Sequence, residues 1–160
     1  MKLLILSDSH GDLPVLRDVL QRENDADAVI FLGDGLRDME QIQDENPALK
    51  IYSVRGNCDF ASFAPSEALG AFGGMLVFYT HGNGYEAKLS LTPLRTAARE
   101  RGAEIVLFGH THLPYYAYED GLYMFNPGSV SMGSRCPSYG LMEINGGKVR
   151  FEHRDVKPPV

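Results

Sequence analysis

The chain has 160 residues, a net charge of −6, a pI of about 5.3 and 44% hydrophobic residues, the size and balance of one soluble domain over residues 1–160. No Lys/Arg run marks a nucleic-acid surface, no apolar run reaches the ~18 residues of a membrane span, and two cysteines, Cys58 and Cys136, give no disulfide framework. The expected setting is cytoplasmic, and the acidic charge leaves phosphate substrates open because bound divalent cations make a pocket locally positive.

Met1 to Leu6 carries too short an apolar run for a signal peptide and reads as a first strand, Leu3 to Leu6, buried on both faces. A helix opens at Leu13, with Asp12 as expected N-cap and Pro14 in the first turn. Ala28 to Leu32 is the second strand, Leu36 to Asp44 a short helix, and Lys50 to Val54 the third strand. This β-α-β-α-β start predicts parallel strands with right-handed crossovers. Glu67 to Phe72 and Met75 to Thr80 then form a hairpin across Gly73-Gly74. Leu89 to Arg101 reads as a helix stopped at Gly102, and Glu104 to Phe108 as a buried strand. Two further hairpins follow, Tyr115–Tyr118 with Leu122–Phe125 and Tyr139–Ile144 with Lys148–Glu152. The tail from Lys157 to Val160 is expected to fray. The fold class is α/β, and two packed sheets with helices outside satisfy both halves.

Five short Gly-flanked clusters punctuate these elements: Asp8-Ser9-His10, Gly33-Asp34-Gly35, Gly56-Asn57-Cys58-Asp59, His81-Gly82 and Gly109-His110-Thr111-His112. Alone, each of the first four reads better as a turn or an ordinary hydrogen-bonded residue, and only His110-x-His112 reads equally well either way. Together they place four of the five histidines in Gly-flanked clusters at predicted strand ends, with carboxylates and an asparagine beside them. In parallel sheets ligands bind at the carboxyl ends of the strands, so Asp8, His10, Asp34, Asn57, His81, His110 and His112 should converge. His and Asp suit Zn, Mn, Fe or Ni. Seven potential ligands are more than one ion needs, which points to a two-metal site and phosphoester chemistry. His153 stands outside the clusters and is expected at the surface, Tyr115, Tyr116 and Tyr118 as a strand-face cluster, and Asp38 and Arg37 near Asp34.

The ordered set Asp-x-His, Gly-Asp, Gly-Asn, His-Gly and Gly-His-x-His resembles the calcineurin-like metallophosphoesterases. With Asn126-Pro127-Gly128-Ser129 and the small size, the chain is most similar to their short YfcE-like phosphodiesterase branch. The resemblance implies a four-layer α/β/β/α sandwich of two mixed sheets with a dinuclear metal centre. One ion would take Asp8, His10 and His112, the other Asn57, His81 and His110, with Asp34 bridging. The implied reaction is in-line attack on phosphorus by a metal-bound hydroxide. Two divalent ions per chain are expected, manganese first, with nickel, zinc, iron or cobalt as alternatives. The substrate would be a small phosphodiester, and a homodimer is a compatible assembly.

Asn57 and Asp59 are the candidate catalytic residues, and Asn57 and Arg135 the candidate substrate contacts. Many larger relatives carry His after the Gly-Asn pair, thought to protonate the leaving group. Here the residue is Cys58, read as a packed thiol, and its presence predicts a preference for good leaving groups. Asn83 is a second departure, where close relatives often carry His. The competing reading is a non-catalytic interaction scaffold, since the chain also resembles the retromer subunit Vps29, whose metal site is degraded.

Overall fold

The computed structural model describes residues 1–158, so the last two residues of the tail lie outside the described residues. The elements run β1 (Lys2–Leu6), α1 (Leu13–Arg22), β2 (Ala28–Phe31), α2 (Leu36–Glu45), β3 (Ile51–Ser53), β4 (Glu67–Phe72) and β5 (Met75–Thr80). They continue with α3 (Thr92–Glu100), β6 (Ile105–Leu107), β7 (Pro114–Glu119), β8 (Leu122–Pro127), β9 (Ser138–Asn145) and β10 (Lys148–Asp155). Two five-stranded mixed sheets result, ordered β10-β9-β1-β2-β3 and β4-β5-β6-β8-β7. The central pairs are parallel, β1 with β2, β2 with β3, β5 with β6 and β6 with β8.

Alternation along each strand builds the layers. Leu3, Ile5 and Ile30 of the first sheet meet Val77, Tyr79, Ile105, Leu107 and Phe125 of the second in one buried cluster between the sheets. The opposite faces carry Leu4, Leu6, Val29 and Phe31, which pack on Val15, Leu16 and Val19 of α1 and on Met39 and Ile42 of α2. On the far side Phe78, Val106 and Met124 pack on Leu94, Ala97 and Ala98 of α3. The order is therefore α/β/β/α. Strands buried on both faces need unbroken apolar runs, which is why they read so clearly. No helix among the described residues is long and apolar enough to cross a membrane.

Several local expectations are corrected. Asp12 makes no side-chain cap for α1. Its Oδ2 instead accepts the Met132 N–H at 2.8 Å and so ties the start of α1 to the loop after β8. The third helix begins at Thr92, with Pro93 in its first turn, and Leu89 stays 82% exposed. His153 is not a surface residue. Its ring stacks on Phe125 with centroids 4.4 Å apart, and Nε2–H donates to the Asn126 carbonyl at 2.7 Å. The β7 tyrosines divide between faces. Tyr115 packs on Phe108, whereas Tyr116 lies against Phe151 and Tyr118 against Tyr123.

A polar anchor holds the first sheet to α1. The Glu23 carboxylate, 2% exposed, accepts the Tyr139 hydroxyl at 2.9 Å, Arg154 at 2.5 Å and Lys2 at 3.1 Å. Burial works to raise its pKa, but these three donors outweigh burial and hold it below the ordinary carboxylate value. Tyr139 is pushed up to about 12, by burial and by Glu23. A depressed native pKa stabilises the fold above the unfolded-state value and loses that contribution as pH falls through the native one. Glu23→Gln should therefore cost about 1–3 kcal/mol at pH 7, since it weakens hydrogen bonds to a charged group. The difference from the unsubstituted protein should narrow as pH falls below about 4.3. Urea unfolding of both proteins across pH checks this.

Candidate metal centre

Asp8 and His10 follow β1, Asp34 follows β2, His81 follows β5, and His110 and His112 follow β6. The parallel register of β1 and β2 aligns Leu6 with Phe31, which brings the two turns side by side. Asp8 N–H donates to the Gly33 carbonyl at 2.9 Å and His10 N–H to the Asp34 carbonyl at 3.1 Å. From the second sheet, Gly109 N–H donates to the His81 carbonyl at 2.9 Å.

The candidate ligand residues themselves carry an unusual backbone. Asp8 (φ 57), His10 (φ 46), Asp34 (φ 60), His110 (φ 68) and His112 (φ 60) all lie in the left-handed region. Each such non-glycine residue costs on the order of 1–3 kcal/mol, and strain of this kind gathers at functional sites. Two glycines are required by close approach. A Cβ on Gly56 would stand 2.1 Å from Asp34 Oδ1, and one on Gly109 would stand 2.0 Å from Ser7 Oγ and 2.8 Å from Asp8 Oδ2.

Asp8 and Asp34 are 0% and 3% exposed, and ring nitrogens surround them. His112 Nε2 lies 3.1 Å and His10 Nε2 3.6 Å from Asp8 Oδ1. The two imidazole nitrogens are 3.2 Å apart. His81 Nε2 lies 3.3 Å from Asp34 Oδ2 and 3.8 Å from Asp8 Oδ1. His110 packs edge-on to His81, with centroids 5.1 Å apart. Donor atoms of Asp8, His10 and His112 lie within 4.8 Å of one another, as do those of Asp8, Asp34 and His81.

The charge states follow. Burial works to raise the Asp8 pKa, but His10, His112, His81 and the Ser7 hydroxyl outweigh it and hold the group well below the usual range. Asp34 is likewise lowered against burial, by His81 and by the Cys58 N–H. Asp8 raises His10 above its ordinary value. His81 is raised too, the carboxylates of Asp34 and Asp8 overcoming burial. His110 is lowered, by burial first and then by His81 and Lys88.

His81 provides a direct test of fit to a metal. Its Nδ1–H donates to the Leu32 carbonyl at 2.7 Å, which fixes the tautomer and turns Nε2 toward the carboxylates. Nε2 is buried and has no hydrogen-bond partner. Two ionised carboxylates, a ring of imidazoles and an orphaned nitrogen are the donor set for a divalent cation, so the residues fit.

Supporting contacts hold the turns. Both Asp59 oxygens are taken up by backbone N–H groups, Oδ2 by Asp34 (2.7 Å) and Gly56 (2.8 Å), Oδ1 by Gly35 (2.9 Å) and Leu36 (3.0 Å). Asp59 thus positions Asp34. Asp38 Oδ2 accepts the Ser9 hydroxyl at 2.5 Å and the Gly11 N–H at 2.9 Å, holding the Asp8–His10 turn. Asn126 Nδ2 donates to the Gly109 carbonyl and to Thr111 Oγ1, both at 3.0 Å. The Ser129 hydroxyl donates to the Asp8 carbonyl at 2.8 Å. In the sequence, Asn126 and Ser129 stand out only as part of the Asn126-Pro127-Gly128-Ser129 motif that contributes to the family resemblance, with no contact to the cluster indicated.

Asn57 and Arg135 are exposed. The Asn57 amide donates to Cys58 Sγ, at 3.4 Å. Cys58 is exposed rather than packed, which corrects the sequence expectation.

Residues 1–147 match the calcineurin-like phosphoesterase superfamily domain. The chain belongs to that superfamily. The probable metallophosphoesterase YsnB of Bacillus subtilis is 35% identical over 157 residues, spanning 94% of this chain and 90% of its own. Phosphodiesterase YfcE of Escherichia coli is 30% identical over 171 residues, 89% and 88% of the two chains. A crystal structure of a predicted phosphoesterase from Streptococcus pneumoniae superposes with a TM-score of 0.82 at 29% identity, over 98% and 92% of the chains. Vps29 of Entamoeba histolytica, solved with zinc, shares the fold at a TM-score of 0.75 and 21% identity, over 98% and 100%. The superfamily frame gives the polar clamps a measurable role. Asp59→Asn should weaken metal binding by about 10–100-fold while leaving every candidate ligand in place. Metal titration of the chelator-stripped variant, followed by calorimetry, checks this.

Proposed function

We propose that this protein is a metal-dependent phosphodiesterase whose residues Asp8, His10, Asp34, Asn57, His81, His110 and His112 hold two divalent ions, manganese foremost. The observation that carries the reading is the buried pair Asp8 and Asp34 facing ring nitrogens, with His81 Nε2 left without a partner. Bound divalent ions supply Lewis acidity to phosphoryl oxygens and lower the pKa of water at the site.

The side chains supply the rest. Asp8 and Asp34 are kept ionised by their donors, so they accept cations at neutral pH without first losing protons. Asp34 Oδ2 faces both His81, at 3.3 Å, and His10, at 3.9 Å, which supports a bridging role. Asn57 sits exposed on the turn beside Asp34, where its amide N–H can reach a phosphoryl oxygen. Arg135 is exposed on the loop after β8 and is free to pair with a phosphate bidentately. Asp59 acts through Asp34 rather than on substrate. Burial and Asp34 push the Cys58 thiol up, which leaves it a weak acid. The reading therefore favours small diesters with good leaving groups. Two free, exposed cysteines are in keeping with a reducing cytoplasm, and a homodimer fits the same reading.

A scaffold role like that of Vps29 is the second reading, favoured by the shared fold. Because a Vps29 has been solved with zinc, metal binding does not separate the two readings; turnover does. The test is hydrolysis of an aryl phosphodiester and an aryl phosphomonoester by chelator-stripped protein, with Mn, Ni, Zn, Fe, Co or Mg restored singly. Manganese-restored cleavage, faster on the diester, is expected. Silence with every ion in folded protein would favour the scaffold. In active protein Asp34→Asn and His81→Ala should each lower kcat/KM by at least about 100-fold, more than loss of a supporting contact, with folding checked by circular dichroism. Full activity in either variant would exclude the two-ion site.

A further inference from the structure

A soft donor stands among the hard ones. Cys58 Sγ, a His10 ring nitrogen and an Asp34 carboxylate oxygen all lie within 4.8 Å of one another. The thiol is exposed and outside the core. Its backbone is fixed, because Cys58 N–H donates to Asp34 Oδ1 at 2.7 Å and the next residue, Asp59, locks the turn from the other side. A second, independent observation points to a cation at the same carboxylate. His81 Nε2, fully buried and without a partner, approaches Asp34 Oδ2 at 3.3 Å. Cys136 belongs to none of the donor groups found among the described residues.

Zinc binds thiolate at about 2.3 Å and imidazole at about 2.0–2.1 Å, so two such donors at a tetrahedral angle stand about 3.6 Å apart. A set already within 4.8 Å closes with side-chain movement of about 1 Å. Thiolate selects zinc and similar borderline ions, whereas an all-oxygen and imidazole set leaves manganese competitive.

We propose that Cys58 is a metal ligand for thiophilic ions, joining His10 and Asp34 and raising the site's affinity for zinc and cobalt above what its oxygen and imidazole donors alone would give. The inference rests on the metal-binding reading above and adds a residue and a selectivity to it. On binding, the S–H bond breaks, a sulfur–metal bond forms from the thiolate lone pair, and the proton passes to solvent. No change of oxidation state is involved.

The test is cobalt(II) titration of chelator-stripped full-length protein, of Cys58→Ser and of Cys136→Ser, read by absorption and by bound metal per chain. The unsubstituted protein and Cys136→Ser should show a thiolate-to-cobalt charge-transfer band in the near ultraviolet. Cys58→Ser should bind cobalt without that band. In competition its zinc affinity should fall by at least about tenfold, no less than for loss of a supporting contact, while its manganese affinity is unchanged. Cobalt bound without the band in the unsubstituted protein, or a band that persists in Cys58→Ser, overturns the proposal and leaves the metal site standing. Folded protein that binds no cobalt overturns both.

Discussion

Two buried carboxylates of like charge, Asp8 and Asp34, face one set of ring nitrogens, and most of the structure near the site serves to keep them there. Burial alone would neutralise them, since a desolvated carboxylate binds a proton in preference to remaining charged. Each is held ionised by donors aimed at it. Ser7 Oγ–H and His110 N–H donate to Asp8 Oδ2, and Cys58 N–H donates to Asp34 Oδ1. Those donors use one oxygen of each carboxylate. The other, Oδ1 of Asp8 and Oδ2 of Asp34, is turned toward the imidazoles.

That arrangement explains why two sheets are needed. The first sheet supplies Asp8, His10 and Asp34, and the second supplies His81, His110 and His112. The buried cluster between the sheets, from Leu3 and Ile5 across to Val77 and Leu107, fixes how far apart the strand ends lie. Polar stitches then cross the seam: Val130 N–H to the Ser7 carbonyl at 3.0 Å and the Ser129 hydroxyl to the Asp8 carbonyl. Five left-handed candidate ligand residues are strained locally, and such strain persists only where surrounding structure over-determines it. The rigid sandwich supplies that determination.

The strands were legible in the sequence because burial on both faces demands continuous apolar runs, as at Leu3–Leu6 and Ile105–Leu107. The convergence of His and Asp was legible because parallel strands present their carboxyl ends together. What was hidden depends on direction rather than residue type. Neighbouring glycines such as Gly11, Gly33 and Gly82 take positive φ, and nothing in the residue types shows that Asp8, His10 and Asp34 take the left-handed conformation as well. Asp12 looked like a cap by position, but a cap requires the side chain to fold back on its own helix, and here it reaches across to Met132. His153 looked peripheral in the last strand, though register with Gly140 leaves room for its ring against Phe125.

Asp59 shows how a residue outside the candidate ligand set can govern its geometry. Four backbone N–H groups, on Asp34, Gly35, Leu36 and Gly56, converge on its carboxylate. Leu36 begins α2, so the same charge also satisfies a donor at the start of that helix. Asp59 in this way welds the turn after β2 to the turn after β3. Those two turns carry Asp34, Asn57 and Cys58, so the placing of the buried carboxylate, of the exposed amide and of the thiol is one structural decision. Gly56 completes it, because any side chain there would occupy the space of Asp34 Oδ1. The chemistry available at this end of the sandwich is therefore set by how two loops are locked together as much as by the histidines that line it.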